Sequence, residues 1–337
     1  MRGDLLEPPL RTAACPKHMT FGPCGGVAAD GGCEVGGLRC VFLDEATVAW
    51  LGPDGPASGP SGLDRLVVAD LPARAMDRAS LDACADALRG RVGAVLAGDS
   101  GAERVQFPPA YRARLLQEAG LPVWSGLNCR DRNRVALEGE LAALADVGVL
   151  GVHCVTGDHT LTGSRPDAAP VFDLDSTGLA ALAHAAGLRV SVAESPAAPP
   201  VERRAARLRE KERAGASVCF VNHAGGVGPV ARFIAEARAI GVGMDFIPCI
   251  PVVVDRGSAE LLRSFTSLAL PVGYLDGILA AADPRAAGVA AAVDLGRAFL
   301  DLDGVVGVNL SGGPGREAGD DVAYAQVLGE IAQELTA

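Results

Sequence analysis

The stretch LNCRDRNRVALEGELAALADVGVLGVHCVTGD, from Leu127 to Asp158, decides the fold class of this chain. It begins with a strand end and continues through a polar turn and one amphipathic helix. A second strand follows and ends in Thr156-Gly157-Asp158. Two polar clusters, 128–133 and 156–158, therefore follow two successive strands at the same end. In a parallel α/β protein, that end of the sheet is where binding and catalytic residues lie.

Short apolar runs alternate with helical patterns along the rest of the chain, which is typical of a parallel sheet covered by helices. The eight predicted strands are 66–70, 92–97, 122–127, 150–155, 189–193, 217–222, 245–250 and 304–310. Eight such units fit a (β/α)8 barrel, and no Gly-x-Gly-x-x-Gly motif follows the first strand to favour a Rossmann fold. We therefore predict an α/β TIM barrel over 63–337, preceded by a cysteine-rich module over 1–43 and a linker over 44–62.

Composition and charge exclude several classes of function. The chain of 337 residues is 49% hydrophobic and carries a formal charge of −11. A nucleic-acid or anionic-membrane surface would need a basic patch instead. No apolar run is long enough to span a bilayer, and the N-terminus lacks the apolar core of a signal peptide. We expect a cytoplasmic protein without nucleic-acid or membrane partners, whose nine cysteines are thiols or metal ligands rather than disulfides.

Polar residues follow most of the predicted strands at their carboxyl ends, where TIM-barrel enzymes hold their active sites. They are Asp70, Asp99, Asn128 with Arg130, Asp158, Glu194, Asn222 with His223, and Asn309 with Ser311. This pattern predicts a functional site at the barrel mouth. Ordinary polar loops are the alternative, because loops lie at the surface.

The polar turn CRDRN and the strand end TGD, at this spacing, closely resemble those of the methylenetetrahydrofolate reductase family. The resemblance implies reduction of 5,10-methylenetetrahydrofolate to 5-methyltetrahydrofolate, by hydride transfer after acid-assisted ring opening. Asp70 stands in the place of the family's acidic Glu, Asp158 matches the Asp beside the pterin, and the resemblance implies that both are catalytic. A helix cap or loop carboxylate is the alternative role for Asp70, and a solvated loop carboxylate is the alternative for Asp158.

The resemblance extends to the sixth strand. The phrase KERAGA at 211–216 is similar to the family's K-x-x-A-G-A, and counting on from Gly215 places Asn222 where the family has a pterin-contacting Gln. Asn keeps the donor and the acceptor of the amide on a shorter side chain. The residues that we expect to bind substrate are Asn128, Arg130, Thr156, Gly157, Asn222 and His223. A structural role is the alternative for His223, as for many single histidines at strand ends.

The flavin side of the resemblance is weaker. Gly126 stands where flavin-bearing members have a His, and Arg203, Arg204 and Arg207 replace the residues expected after the fifth strand. We interpret these arginines as a solvated helix face, with a grip on a phosphate as the alternative. Lys211 is the same residue as in the family, and we assign it to cofactor binding. The resemblance implies NAD(P)H as the hydride donor and leaves FAD open.

Four cysteines, Cys15, Cys24, Cys33 and Cys40, lie within one short glycine-rich segment. Four thiolates so close together predict a tetrahedral zinc site, with a [4Fe–4S] cluster or unrelated free thiols as alternatives. The phrases CPK at 15–17 and GPCGG at 22–26 resemble a module found at the C-terminus of some methylenetetrahydrofolate reductases and in partner subunits of others. In this chain the module lies at the N-terminus.

The resemblance implies a tetrahydrofolate derivative as the substrate. Two other functions stay open at this point: reductive methylation of another acceptor, and a non-catalytic subunit that binds folate or a partner enzyme. The sequence also leaves the assembly open between a homo-oligomer and a complex with a partner reductase.

Overall fold

The computed structural model describes residues 14–55, 61–98, 103–315 and 319–337. Eight parallel strands, β1 to β8, form a closed barrel in chain order. Their bounds are Leu66–Asp70, Ala94–Ala97, Val123–Asn128, Gly151–Val155, Val190–Glu194, Val218–Val221, Asp245–Pro251 and Gly307–Ser311. Pairing of β1 with β8, with Leu66 beside Gly307, closes the barrel. The predicted (β/α)8 barrel is confirmed.

Helices α1 to α10 follow the strands and surround the barrel. Their bounds are Arg78–Leu88, Pro109–Glu118, Arg134–Val147, Ser176–Ala185, Arg204–Arg213, Val227–Ala239, Arg256–Arg263, Tyr274–Leu279, Pro284–Leu300 and Asp320–Thr336. In α3, which belongs to the opening stretch, the Asn133 side chain caps the N-terminus by accepting from the Ala136 N–H. Gly148, at φ 74°, ends the same helix in a left-handed conformation that favours glycine.

The barrel has two apolar layers because side chains alternate between the two faces of each strand. Val68, Trp124 and Phe220 belong to one cluster, which is separate from the larger core that includes the helices. The Trp124 indole donates to the Ser191 hydroxyl at 2.8 Å, so its polar end is satisfied inside the barrel. Residues two positions further along these strands share the face of this inner cluster and lie at the carboxyl end. Asp70, Gly126 and Asn222 are such residues.

The cysteine-rich segment packs against the barrel. Met19, Phe21, Val27 and Phe42 are its buried apolar residues. Isolated antiparallel bridges, Val27 with Cys33 and Gly32 with Arg39, are its strand-like pairings within the described residues. No helix in the described ranges has the length and apolarity needed to cross a membrane.

Candidate functional site

A cavity of about 660 Å³ lies at the carboxyl ends of the barrel strands. This volume is within the range of small-molecule sites. Its wall includes eight of the residues predicted for the site: Asn128, Arg130, Thr156, Gly157, Asp158, Lys211, Asn222 and His223. The structure therefore brings together, around one space, residues from β3, α5 and the loops that follow β3, β4 and β6. Asp99 falls outside the described residues.

The turns after β3 and β4 shape one side of this cavity. The Asn128 carboxamide oxygen accepts from the Arg130 backbone N–H at 2.9 Å, which holds the polar turn in place. Gly157, at φ 87°, faces this turn, and a Cβ at Gly157 would lie 3.0 Å from that of Asn128. The Thr156 hydroxyl accepts from the Ser176 N–H at 3.1 Å, so it positions the start of α4. These residues build the wall that carries Asp158.

Asp158 is exposed and lines the cavity. Within the described part of the chain, its carboxylate forms neither a hydrogen bond nor an ion pair within 4 Å. Because no donor of the described residues binds these two carboxylate oxygens, they can accept hydrogen bonds from N–H groups of a ligand in the cavity.

The other predicted carboxylate, Asp70, is half-buried and does not belong to the residues that line the cavity. Its carboxylate accepts from the Asn309 amide at 2.9 Å and from the Gly312 N–H at 3.4 Å. Burial raises the pKa of Asp70, although these hydrogen bonds and that of the Ser311 hydroxyl oppose the shift. Ser311, and not Asp70, belongs to the residues that line the cavity. The proposed role of Asp70 as the acid stays a prediction, and it requires the Ser311 hydroxyl between the acid and a ligand.

Asn222 and His223 form the wall beyond β6. The Asn222 amide donates to the Ser195 hydroxyl at 2.9 Å. His223 is 8% exposed, and neither of its ring nitrogens makes a well-aligned hydrogen bond among the described residues, where the Cys249 backbone is the polar group that approaches the ring. Burial lowers the pKa of His223 to about 4, so its imidazole is neutral at physiological pH. The ring stacks on Phe265, with an interplanar angle of 19°. A neutral imidazole that lacks a well-aligned protein partner is suited to bind a polar ligand.

A buried cluster of charged side chains supports the cavity floor on the β5 side. The Glu194 carboxylate pairs with the Lys211 ammonium at 2.7 Å and with the Arg204 guanidinium at 3.1 Å. Lys211 also donates to the Ala193 carbonyl at 2.5 Å, and it is the member of the cluster that reaches the cavity. The two cations hold the pKa of Glu194 below its usual range, against the opposing effect of burial.

The interpretation of the arginines as a solvated helix face is wrong for two of the three. Arg204 and Arg207 are both fully buried, whereas Arg203 keeps a side chain 30% exposed. Arg207 pairs with Asp175 at 3.5 Å. The physical reason is that Glu194 and Asp175 present buried carboxylates to the inner face of α5. The cysteine module also covers this face.

The glycines of the module allow its backbone to approach the barrel mouth. Gly22, at φ 135°, lies against Arg207, and a Cβ there would be 2.9 Å from the Arg207 Cδ. A Cβ on Gly25 would lie 3.0 Å from the Ser195 hydroxyl. The Cys24 carbonyl between them accepts from Arg204 at 3.1 Å. The phrase GPCGG is therefore a docking segment as well as the carrier of a cysteine.

The module also contributes side chains to the cavity wall, which the sequence analysis did not assign. Lys17 and Glu34 are both buried in the ion pair that joins them at 2.6 Å, and both line the cavity. Glu34 also accepts from the His159 N–H at 2.7 Å, next to Asp158. Desolvation opposes the charge on Lys17, but the attraction of Cys24, Glu34 and Asp158 together raises its pKa. The sequence feature that could have identified them is their position beside the module cysteines: Lys17 lies in CPK at 15–17, and Glu34 lies in CEV at 33–35.

The four module cysteines line one small cavity of about 20 Å³, and Cys24 also lines the large cavity. All four are free thiols, and burial raises the pKa of Cys15, Cys33 and Cys40. Four sulfur donors around one space fit a structural metal by their chemistry. In the described ranges, however, no three His, Cys, Asp or Glu side chains are arranged as a metal site. The predicted metal therefore stays a prediction.

A closed parallel barrel with a polar cavity at the carboxyl ends of its strands has the architecture of the TIM-barrel proteins, a fold common among enzymes. A scan of the chain against protein-family models finds no match, and no curated protein matches it.

Solved structures do share the fold. One is an uncharacterized protein from Clostridium thermocellum that binds two copies of 5-methyl-5,6,7,8-tetrahydrofolic acid. It is 10% identical to this chain at a TM-score of 0.58, with 80% of this chain and 96% of that one covered. A tryptophan synthase α-subunit from Pyrococcus furiosus is 14% identical at a TM-score of 0.45, with 81% and 98% covered. The first likeness shows a common barrel fold.

Proposed function

We propose that this chain binds a tetrahydrofolate derivative in the barrel-mouth cavity and reduces 5,10-methylenetetrahydrofolate to 5-methyltetrahydrofolate. The observation that carries the proposal is the convergence of Asp158, Asn222 and His223 on one cavity of about 660 Å³. A pterin has N–H donors and a carbonyl acceptor on one edge, and these residues offer carboxylate, amide and imidazole partners. The barrel shared with a protein that binds 5-methyltetrahydrofolate supports the choice of ligand.

The reaction requires a proton for ring opening and a hydride for the resulting iminium carbon. Asp70 is the proposed source of the proton, because it stands in the place of the resembling family's acidic Glu, at the carboxyl end of β1, and burial raises its pKa. The Ser311 hydroxyl contacts Asp70 and lines the cavity, so it is placed to pass the proton to a ring nitrogen. Asp158 would hold the pterin edge. A reduced nicotinamide nucleotide, NAD(P)H, would supply the hydride as a co-substrate.

The residues present do not fit the flavin arrangement of the resembling family. A Cβ at Gly126 would lie 2.7 Å from the Gly98 Cα, so the backbone leaves no room for the expected His. Lys211, the residue assigned to the cofactor, is held by Glu194 and the Ala193 carbonyl. We therefore derive no step through FAD, and we propose direct reduction by the nicotinamide nucleotide.

The decisive experiment measures NADH oxidation that depends on 5,10-methylenetetrahydrofolate, together with calorimetric binding of 5-methyltetrahydrofolate. We expect both in the wild type, and we expect Asp158→Asn to weaken binding by roughly tenfold or more, since hydrogen bonds to a charged group are lost. Asp167→Asn is the matched control, because this carboxylate is 66% exposed in the same loop region and does not line the cavity. Binding without NADH oxidation would contradict the reductase and favour a folate-binding subunit or transfer to another acceptor.

For the module we propose a zinc site formed by Cys15, Cys24, Cys33 and Cys40, with a [4Fe–4S] cluster as the alternative. Metal analysis and the visible spectrum of the purified protein distinguish the two. Cys24→Ser should lower the bound metal, whereas Cys84→Ala, a buried cysteine of α1, should not. Metal-free wild-type protein that keeps its fold would contradict the proposal.

A further inference from the structure

The cysteine module contributes a cation to the wall of the barrel cavity. Lys17 is 2% exposed, and its ammonium pairs with Glu34 at 2.6 Å. Both side chains line the cavity together with Asp158. An ammonium has three N–H donors, and Glu34 is its one ion-pair partner among the described residues. Glu34 therefore holds the cation at the cavity, and Cys24 and Asp158 also attract it.

Glu34 fixes the position of this cation relative to Asp158. Its Oε1 atom pairs with Lys17 and also accepts from the His159 N–H at 2.7 Å. His159 follows Asp158 directly, so one carboxylate oxygen ties the ammonium to the residue beside the free carboxylate. Lys17 and Asp158 also attract each other electrostatically. The two acceptor oxygens of Asp158 and the Lys17 ammonium, a charged donor, therefore lie on the same side of the cavity.

This order of groups matches one edge of a pterin. The 2-amino group and N3–H are adjacent donors, and the 4-oxo oxygen beside them is an acceptor. A carboxylate accepts from both donors in a bidentate manner, and a neighbouring ammonium donates to the oxygen. We propose that Lys17 and Asp158 together recognise the 2-amino-4-oxo edge of the ligand, and that the cysteine module is in this way part of the ligand site. The inference rests on the proposed function, because it takes a reduced folate as the ligand.

The test compares two ligands by calorimetry: 5-methyltetrahydrofolate and its 4-amino-4-deoxy analogue, in which a donor replaces the 4-oxo acceptor. The wild type should bind the 4-oxo ligand at least tenfold more tightly, because the analogue turns a donor toward the ammonium. Lys17→Met should weaken binding of the 4-oxo ligand by roughly 10- to 100-fold and leave the analogue within about threefold. The preference for the 4-oxo ligand should then shrink by about the same factor, and the remainder should reflect the N3–H donor to Asp158, which the 4-amino analogue also lacks.

Controls separate this role from a purely structural one. Both ligands are measured on the same sample, so a partly unfolded variant does not change their ratio. Lys17→Gln keeps a donor and should retain part of the preference. Arg165→Met removes a cation whose side chain is 49% exposed and which does not line the cavity. It should behave as the wild type.

Each outcome decides between the two proposals. An unchanged preference in both Lys17 variants would overturn the inference while the folate site stands. Equal wild-type affinity for the two ligands would overturn it as well. If the wild type bound neither ligand, the proposed function itself would fail, and the edge recognition would fail with it.

Discussion

Replacing Glu194 with Gln, which changes one atom of the side chain, should strongly destabilise the folded protein. Its carboxylate is 2% exposed and lies 2.7 Å from Lys211 and 3.1 Å from Arg204. Glu194→Gln keeps the shape of the side chain but removes the charge. One of its two contacts then sets an amide NH₂ group against a cation, and two buried cations lose their counter-ion.

The expected magnitude follows from that geometry. Breaking a buried ion pair by removing one partner costs about 3–5 kcal/mol, because the remaining charge stays desolvated. Domains are stable by only about 5–15 kcal/mol, so at least about a fifth of the total would be lost. The matched control is Glu118→Gln on the surface of α2. Its pair with Arg114 is 53% and 62% exposed, and should contribute at most about 0.5 kcal/mol.

Urea unfolding followed by tryptophan fluorescence measures both variants, since Trp124 lies in the barrel core. Glu194→Gln should lower the free energy of unfolding by about 3–5 kcal/mol at pH 7. A loss below about 1 kcal/mol would refute the reasoning, because it would mean that the cations are solvated or paired otherwise.

The same residue predicts the pH dependence of stability. The pKa of Glu194 is lowered from its ordinary value of 4.5 in the folded protein. Its contribution is therefore fully present above pH 4.5 and is lost as the pH falls through the folded-state pKa. The stability difference between wild type and Glu194→Gln should be constant at neutral pH and shrink in this acidic window. A difference that grew on acidification would contradict the direction of the shift.

Two further predictions concern the module and the cavity. Gly22→Ala should cost about 1–3 kcal/mol, because an L side chain at φ 135° is strained and meets Arg207. Limited proteolysis should show earlier cleavage of the module, whereas Gly36→Ala, with open space around its Cβ, should match the wild type. His223→Phe should weaken ligand binding in calorimetry without lowering the unfolding midpoint, because the imidazole nitrogens make no well-aligned hydrogen bond in the described structure. Wild-type binding should show no inflection from His223 between pH 5 and 8, since its pKa is about 4.

Much of the barrel was predictable because local signals agree with the fold. The first strand, Leu66–Asp70, has the predicted bounds, and the helix Arg134–Val147 is the amphipathic helix predicted within the opening stretch. In the helix, Asn133 supplies the N-cap and Gly148 the left-handed C-terminal residue, so local residues indicate where the helix begins and ends. The eight site residues around the cavity were predictable for a related reason. Parallel strands bring their carboxyl ends to one edge, and the residues at that edge can be identified from the strand pattern without knowledge of tertiary contacts.

The remaining features depend on contacts between distant parts of the chain. The short helix Tyr274–Leu279 lies within the connection between β7 and β8, and its pattern is too short to separate it from a loop. Arginines on a helix normally face solvent, and only the carboxylates of Glu194 and Asp175 explain why Arg204 and Arg207 are buried. No periodicity within the module indicates that Lys17 reaches a cavity formed by strands more than a hundred residues later.

Arg204 shows why module and barrel have to be considered as one structure. Its guanidinium pairs with Glu194 and donates to the carbonyls of Ala198, Pro199 and Cys24. A planar fork with five N–H donors satisfies these acceptors together, which the single ammonium of a lysine does not. The carboxylate that fixes Arg204 also fixes Lys211 at the cavity. The position of the module over the barrel mouth, and hence that of the wall containing Lys17, is therefore coupled to the same buried charge cluster.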